Sequence, residues 1–448
     1  MKTMKKGSLL LALLLLVGVF CGLLVSCDTD SRTLVPFTGS SDKSGSSTPY
    51  VTNVKIEGGN IIVCYSNGSC VNIGSSVTNV TESKLGDVTI NGSEGGVTQI
   101  AASRALLSTV QVICQFTKTV YYQAGPFGKV YKQDQSYAAA GSGVIYSLDW
   151  ETNEALIITN QHVVYDADSN ASDHISEDIS IYMCGSTEAV RATYVGGSAD
   201  YDIAVLRVNN PSALKGATAA KIADSSAFSV GSTALVVGNP EGAGISATAG
   251  IISVDSETIQ MTAIDNENQK NNFRVIRVDA AVNSGNSGGG LYNAKGELIG
   301  IVNAKIVSSS IENIGYAIPS NVAVAVAENI IANNGSFRRA VLRVTPTGTD
   351  THLVYDTETL LTSIVETVKV GDVTAGGAGE TIGLKKDDTI LSLQVGEREE
   401  VEVTRTFHII DEMLNARVGD TIKVTVVRDG VTLTLTGTVT ADWIELKP

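Results

Sequence analysis

Short apolar runs, separated by polar and glycine-containing stretches, recur through most of this 448-residue chain. The runs at residues 109–114, 155–158 and 203–206 have the length and the β-branched content that are typical of buried strands. The pattern continues to about residue 307, and a strongly amphipathic helical pattern follows at residues 322–332. The sequence therefore predicts a fold dominated by β-structure, with the strands organised as barrels.

The beginning of the chain has the features of a secretory signal. Three lysines within the first six residues precede an apolar segment at residues 9–24, which is short for a membrane-spanning helix. Residues 1–26 are therefore predicted to be a signal peptide. The run Leu24-Val25-Ser26-Cys27 resembles a bacterial lipobox, which implies cleavage before Cys27 and acylation of that residue. An ordinary signal peptide with an incidental cysteine is the alternative.

The next segment predicts a tether. Residues 27–50 are rich in Ser, Thr, Gly and Asp and contain few apolar side chains, so they cannot form a core. If Cys27 is acylated, we expect a protein that is lipid-anchored at the extracytoplasmic face of a bacterial cell membrane.

Charge narrows the classes of partner. The formal net charge is −15, and removal of the three lysines of the signal would take it to −18. The negative charge of the protein disfavours binding to nucleic acid and to anionic lipid. The acyl chains would therefore be the contact with the membrane. Solubility is a sufficient explanation for the excess of acidic residues.

Residues 51–98 predict a small β-hairpin module, because short β-like runs alternate there with Gly, Asn and Ser and the apolar content is low. A spacer is its simplest role. A three-residue hairpin loop with Gly68 in the left-handed conformation would make Cys64 face Cys70 and allow a disulfide, whereas a two-residue turn would offset them. The other cysteines lie in apolar runs, match no zinc site, and are expected to be small buried side chains: Cys114 and Cys184.

One serine lies in a glycine-rich turn that suits a nucleophile. Residues 283–290 read Asn-Ser-Gly-Asn-Ser-Gly-Gly-Gly, and the glycines around Ser287 permit N–H groups to converge on an oxyanion. His162 directly follows an apolar run and could be the base, and Asp202 directly precedes another and could orient the imidazole. Asp200 is the alternative acid.

These residues stand in segments that resemble the HtrA/Deg family of extracytoplasmic serine endoproteases. The order His, Asp, Ser is the one used by double β-barrel proteases of the chymotrypsin type. The resemblance spans roughly residues 100–335, and only Asp202 precedes Ile-Ala-Val as the family acid does. It rests on runs such as Gly-Ser-Gly-Val-Ile, Thr-Asn-Gln-His-Val, Val-Val-Gly-Asn-Pro and Gly-Tyr-Ala-Ile-Pro, at residues 141–145, 159–163, 236–240 and 315–319.

The resemblance implies a chymotrypsin-like double β-barrel over residues 99–335 and a serine endopeptidase that cleaves unfolded or damaged proteins without a metal or cofactor. His162 would take the proton of Ser287, and Asp202 would stabilise the imidazolium. A homotrimer and a role in protein quality control or stress response are implied as well. The polar segment 117–140 is long for a hairpin loop, and the family has a regulatory loop at this position.

The family alignment also locates the oxyanion donors and a specificity pocket. The oxyanion would be bound by N–H groups of Gly285 and Ser287, with Asn286 as a further donor. Three aliphatic side chains would line the pocket for the residue before the cleaved bond: Val282, Ile306 and Ile314. Such a pocket favours Val, Ile or Ala over Lys or Arg, because burial of an unpaired charge is costly.

Residues 339–446 resemble a bacterial PDZ domain, which binds a peptide as an added strand beside a helix. The best match to the carboxylate-binding loop contains Leu342, Arg343 and Val344, and Arg343 stands where the family usually has glycine. Tight binding of a C-terminal carboxylate is therefore not expected, unless the charge of Arg343 compensates. Helical spacing would place three more residues along the groove, with core packing as the alternative: Phe407, Ile410 and Leu414.

Two other classes of function are compatible with parts of the chain. A catalytically idle relative would be a lipid-anchored PDZ scaffold or holdase that binds unfolded segments without cleaving them, and the complete triad argues against it. An adhesin-like role would rest only on the module at residues 51–98. The sequence therefore predicts a membrane-tethered serine endopeptidase with an all-β dominated double barrel followed by an α+β PDZ domain.

Overall fold

The computed structural model describes residues 33–34, 51–57, 60–65, 70–75, 97–123, 129–266, 268–304 and 314–447. The chain divides into two units, residues 1–83 with 89–93 and residues 84–88 with 94–448. The predicted signal peptide, the anchor at Cys27 and most of the predicted tether lie outside the described residues. Among the helices of the described residues, none combines the length and the apolar character that crossing a membrane requires.

The first unit contains a four-stranded antiparallel sheet in the order β1-β2-β3-β4. The strands are β1 (Thr33–Leu34), β2 (Val51–Glu57), β3 (Asn60–Tyr65) and β4 (Cys70–Ser75). The register of β3 and β4 places the Cα atom of Cys64 opposite that of Cys70. A disulfide requires such facing positions, and its formation stays a prediction.

The second unit contains a closed six-stranded barrel in the order β10-β7-β6-β5-β8-β9. Branched aliphatic side chains, among them Val112, Ile157 and Leu206, fill its interior and are fully buried. In β5 the buried positions alternate with less buried ones, as the two-residue period of a strand requires. The strands are β5 (Thr109–Gln123), β6 (Val130–Asp149), β7 (Glu154–Thr159), β8 (Asp178–Met183), β9 (Ala189–Ser198) and β10 (Ile203–Asn209).

A second closed barrel follows, in the order β11-β12-β13-β16-β15-β14. Its interior is also aliphatic and includes Val236, Ile276 and Ile299. The strands are β11 (Thr233–Gly238), β12 (Ser246–Thr262), β13 (Lys270–Val278), β14 (Gly290–Tyr292), β15 (Leu298–Val302) and β16 (Gly315–Pro319). The prediction of a double barrel is confirmed.

A shared apolar cluster joins the two barrels. Helix α1 (Val97–Leu106) contributes Ala101 to it, and the longer helix at Ser320–Ala332 contributes Val326 and Ile330. Tyr292 is buried in the same cluster, and its hydroxyl lies 2.8 Å from the hydroxyl of Thr109. The barrels therefore form one packed body, which fixes the cleft between them.

The polar segment at residues 117–140 is long for a hairpin loop, but its described part is mostly strand: residues 117–123 belong to β5 and residues 130–140 to β6. Strands β5 and β6 pair continuously from Thr109 opposite Val144 to Gln123 opposite Val130. Val and Tyr favour extended structure even where they are exposed, and that preference outweighed the polar composition. The aromatic rings of Tyr122 and Tyr131 stack across the hairpin at 5.5 Å.

The two cysteines of the first barrel differ from one another. Cys114 lies on β5, is buried, and has a pKa that burial raises to about 12. Cys184 lies in the turn after β8 and is exposed. The prediction of two buried cysteines is therefore correct for Cys114 and wrong for Cys184, where the chain leaves the barrel one residue earlier than its apolar pattern suggests.

The C-terminal region has its own sheet and core and is consistent with a PDZ domain. Its sheet has the order β18-β19-β20-β22-β23, with β21 beside β20, and β17 pairs with β24. Val370, Leu393 and Val424 are buried in its core. The strands are β17 (Phe337–Ala340), β18 (Val344–Tyr355), β19 (Thr362–Val373), β20 (Thr389–Val395), β21 (Val401–Glu402), β22 (Thr421–Arg428), β23 (Val431–Thr438) and β24 (Ile444–Lys447), and the helices are Ala378–Ile382 and Thr406–Met413.

Candidate active site

His162 and Asp202 are brought together by neighbouring strands of the first barrel. Strand β7 ends at Thr159, and the short helix at Gln161–Val164 carries His162 directly after it. Thr159 pairs with Ala204 near the start of β10, so Asp202 lies at the same end of the barrel. The imidazole Nδ1 of His162 is 2.7 Å from Oδ2 of Asp202. The main-chain N–H of His162 donates to Oδ1 of the same carboxylate at 3.0 Å.

The carboxylate of Asp202 is almost fully buried, at 1 % exposure, and is held by further donors. The Nδ2 group of Asn303 donates to its Oδ2 at 2.6 Å, and Nδ2 of Asn160 donates to its main-chain carbonyl at 2.8 Å. The backbone of Asp202 has a φ of 51°, a conformation that aspartate tolerates better than most residues. These bonds fix the acid against the imidazole and compensate the burial of its charge.

The alternative acid, Asp200, points elsewhere. Its Oδ1 accepts a hydrogen bond from Nδ2 of Asn271 at 3.1 Å. The geometry therefore selects Asp202 as the partner of His162, in agreement with the order of the surrounding residues.

Ser287 lies in the turn between β13 and β14 and is 5 % exposed. Its Oγ accepts a hydrogen bond from the main-chain N–H of Ala304 at 3.1 Å. Among the described residues no hydrogen bond joins Ser287 to His162. The hydroxyl must therefore rotate before it can donate to the imidazole, and such bonds often tighten only when substrate binds.

The turn before Ser287 requires glycine. Gly285 has a φ of +92°, and a Cβ atom there would lie 2.2 Å from the carbonyl oxygen of Asn239. In the described part of the chain, the N–H groups of Gly285 and Ser287 donate to no protein acceptor, whereas that of Asn286 donates to the carbonyl of Asn283 at 3.0 Å. Gly285 and Ser287 are thus the groups of this turn that are free to bind an oxyanion.

Ser142 anchors the nucleophile turn to the first barrel. Its hydroxyl donates to the carbonyl of Gly285 at 2.7 Å and accepts from the N–H of Asn239 at 2.8 Å. Its own N–H donates to the carbonyl of Ser287 at 2.8 Å. Ser142 therefore contacts the main chain of the turn at both Gly285 and Ser287.

Sequence reasoning did not assign roles to Asn160, Asn303, Ala304 or Ser142. Asn160 and Asn303 each follow an apolar strand run directly, which is the same signal that identified His162. That signal is too common to select them without the fold, because turns on many strands carry asparagine.

The predicted specificity pocket is described only in part. Val282 is buried in the second barrel, and Ile314 is half-buried directly before β16. Ile306 lies outside the described residues. The lining of this pocket stays a prediction.

The residues predicted for a PDZ peptide groove do not all share one environment. Leu342 is buried in the C-terminal core, and Val344 begins β18 and packs against that core. Arg343 has a φ of 55°, and its Nη2 group reaches the carbonyl of Asp442 at 3.4 Å. Arg343 is thus directed towards the main chain of Asp442.

The helix at Thr406–Met413 directs part of the predicted groove face towards the barrels. The guanidinium group of Arg274 lies 3.7 Å from the ring centroid of Phe407, and Leu414, 1 % exposed, packs in the cluster that joins the barrels. Ile410 is 48 % exposed. Helical spacing identified an apolar face, but it could not show that Phe407 and Leu414 contact the barrels, and the role of Ile410 in a peptide groove stays a prediction.

Comparisons with known proteins agree with this geometry. The family described as a trypsin-like peptidase domain matches residues 141–301. A serine protease Do-like HtrA of Bacillus subtilis is 33 % identical over 309 residues, which cover 67 % of this chain and 63 % of that protein. The chain thus spans slightly less than two thirds of the Bacillus relative.

Two further proteins are similar. A serine protease Do-like HtrA of Lactococcus lactis subsp. cremoris is 34 % identical over 306 residues, with 66 % of this chain and 70 % of the relative covered. The solved structure of the HtrA-type protease AlgW with a decapeptide is 26 % identical and covers 79 % of this chain and 99 % of its own, with a TM-score of 0.46.

Proposed function

Because this chain belongs to the HtrA family of serine proteases, we propose that it is an endopeptidase whose triad is His162, Asp202 and Ser287. One observation carries the proposal: the carboxylate of Asp202 accepts hydrogen bonds from both the main-chain N–H and Nδ1 of His162. This arrangement fixes the tautomer in which Nε2 of the imidazole is free to accept a proton.

The reaction would proceed by acyl transfer. Ser287 leaves its hydrogen bond with Ala304, donates its proton to His162 and attacks the carbonyl carbon of the scissile peptide. The imidazolium, stabilised by Asp202, then returns the proton to the leaving amine. Water hydrolyses the acyl-enzyme by the same groups in reverse order and regenerates Ser287.

The negative charge that develops on the substrate oxygen would be bound by the main-chain N–H groups of Gly285 and Ser287. Loss of one such donor typically costs about 10²–10³ in rate. The bonds from Ser142 to this turn support the role, because preorganised donors need no rearrangement during the reaction.

We propose unfolded or damaged polypeptides as substrates and protein quality control as the setting. Val282, Ile314 and Ile306 would form an aliphatic pocket for the residue before the cleaved bond. Val, Ile and Ala are buried in folded proteins and exposed in damaged ones, so such a pocket would select damaged substrates.

The finer features of the proposal are extracytoplasmic location, attachment to a membrane through acylated Cys27, and binding of peptides by the C-terminal domain. The lipobox-like run before Cys27 supports the anchor. The solved AlgW structure carries a decapeptide, which supports peptide binding in a relative. Among the described residues β18 is an edge strand of its sheet, and a peptide would add beside it.

Cleavage of reduced casein by the purified protein tests the activity. We expect degradation without added metal and labelling of Ser287 by a fluorophosphonate. Ser287→Ala should abolish both, while Ser284→Ala, a substitution of an exposed serine in the same turn, should preserve them. A protein that binds casein but is neither labelled nor active would instead be the idle scaffold or holdase.

A further inference from the structure

A cavity lies near the segments that carry His162 and Asp202. Its volume is about 270 Å³, and its lining includes Gln161 and Ala199. Gln161 immediately precedes His162, and Ala199 lies three residues before Asp202. A polypeptide whose scissile bond lies between Ser287 and His162 would therefore pass this cavity with a neighbouring side chain.

The walls of the cavity are fixed by contacts between its own residues. The hydroxyl of Tyr194 donates to Oε1 of Gln161 at 3.1 Å. A Cβ atom on Gly197 would lie 1.9 Å from the same Oε1, so the residue at 197 must be glycine for this pair to form. The ring of Tyr165 meets that of His174 edge-on, with centroids 5.7 Å apart. Two tyrosines are thus held in place around the cavity.

Two carboxylates, Asp173 and Asp265, complete the lining, and both residues are exposed to solvent. Oδ1 of Asp173 accepts the N–H of Ile175 at 3.1 Å, which fixes its side chain. The described residues that line the cavity include no lysine or arginine. The cavity therefore has aromatic and apolar walls and an uncompensated negative charge.

Burial is the main cause of the raised pKa of two neighbouring phenols, and nearby carboxylates add to it. Burial, with Asp173 as a further contribution, raises the pKa of Tyr194 to about 12. Burial also raises the pKa of Tyr165, and the charges of Asp265 and Asp166 add to that effect. A positive group in this position would be attracted by the same charges.

We propose that this cavity binds a lysine or arginine side chain of the substrate, close to the scissile bond. The proposal rests on the proposed function, since it assigns a second specificity site to the same protease. The aliphatic stem would lie against Ile175 and Ile264, the cationic end over Tyr165 and Tyr194, and the charge beside the two aspartates. Aliphatic and cationic residues would then be recognised at two nearby positions.

Matched peptides test the proposal. Each quenched fluorescent peptide has valine before the cleaved bond. At one other position within two residues of that bond it has either lysine or norleucine, the uncharged isostere of lysine. We expect lysine to raise kcat/KM about tenfold at one of these positions, an effect that should weaken at high salt. The double variant Asp173→Asn with Asp265→Asn should lose this preference and keep its kcat/KM for the norleucine peptide.

Asp168→Asn is the control, because Asp168 is an exposed aspartate of the same loop outside the cavity. It should keep the preference for lysine. Equal kcat/KM values for lysine and norleucine at every position, or a preference that survives in the double variant, would overturn the proposal.

Failure of the protease assignment would look different. Binding of the same peptides to Ser287→Ala, measured by fluorescence anisotropy, reports on the cavity without catalysis. If the wild-type protein cleaves nothing but Ser287→Ala binds the lysine peptide about tenfold more tightly through the two aspartates, the cavity assignment stands and the activity does not. Equal binding of both peptides, in turn, would refute the cavity assignment alone.

Discussion

Asn303 donates a hydrogen bond from Nδ2 to Oδ2 of Asp202 at 2.6 Å, and this oxygen is also the one that contacts Nδ1 of His162. Asn303 follows the last residue of β15 and is fully buried, so the second barrel supplies a donor to an acid of the first. The link couples the relative position of the two barrels to the orientation of the imidazole.

We therefore expect Asn303→Ala to lower kcat about tenfold with little change in KM, because one donor to a buried carboxylate is lost. The pH dependence of kcat/KM should change as well, because Asn303 contacts the carboxylate that orients the proposed general base. Steady-state kinetics from pH 5 to 9 provide the measurement. Loss of stability alone would lower the active fraction without moving the pH profile, and that result would limit Asn303 to a structural role.

Asp202 and Asp200 can be compared to test which aspartate orients the imidazole of His162. Asp202→Asn should reduce kcat by about 10⁴, because an asparagine that donates to the imidazole favours the wrong tautomer. Asp200→Asn should change kcat less than about threefold, since the carboxylate of Asp200 accepts from Asn271, whereas that of Asp202 contacts the imidazole of His162. The rate of casein cleavage is measured for both variants. An equal loss of kcat in the two variants would contradict the assignment of Asp202 as the acid of the triad.

Glycine at position 288 should be needed for stability as well as for presentation of the nucleophile. Gly288 has a φ of +83°, and a Cβ atom there would lie 2.1 Å from the carbonyl oxygen of Ser142. Gly216 has a φ of +90° with nothing within 4 Å of such an atom, so it shares the backbone strain but not the clash. The two positions separate these effects.

Gly216→Ala should cost about 1 kcal/mol of unfolding free energy, and Gly288→Ala should cost about 3 kcal/mol or more. Urea unfolding followed by tryptophan fluorescence measures the difference. Similar costs at the two positions would show that the turn relaxes around the added methyl group.

The sequence could single out His162, Asp202 and Ser287 as candidates because each lies in a short local motif. His162 and Asp202 both sit at strand ends, and Ser287 lies among glycines that the turn geometry requires. Asn303 was not predicted, because its role depends on the closure of the second barrel beside the first. That closure is a long-range property that no local pattern contains.

The C-terminal helix illustrates the same limit. Its apolar residues have helical spacing, but Ile409 and Met413 enter the C-terminal core while Leu414 enters the cluster between the barrels. A helix that is apolar on two faces gives no local signal of which partner each face meets. The hairpin at residues 117–140 was mistaken for a loop because its strands are exposed on both faces and so lack the alternation that a half-buried strand shows.

His408 lies on this helix and should make stability depend on pH. Its Nδ1 atom accepts the main-chain N–H of Thr404 at 3.3 Å, which requires an unprotonated nitrogen. Burial and then the positive charge of Arg274 lower the pKa of His408 to about 4, with Arg405 acting in the same direction and Asp224 opposing it. The folded protein therefore holds this imidazole neutral where an unfolded chain would protonate it.

Because the folded-state pKa lies below the unfolded value of about 6.5, the contribution is fully present above about pH 6.5 and is lost as the pH falls towards 4. The loss amounts to about 3 kcal/mol at most, since one pKa unit corresponds to about 1.4 kcal/mol. We expect the unfolding midpoint of the wild-type protein to fall between pH 7.5 and pH 5, and His408→Gln to reduce that fall by about 3 °C or more in scanning calorimetry. His352→Gln, which alters an exposed histidine, should show the wild-type dependence. An identical pH dependence in all three proteins would mean that protonation of His408 is not linked to unfolding.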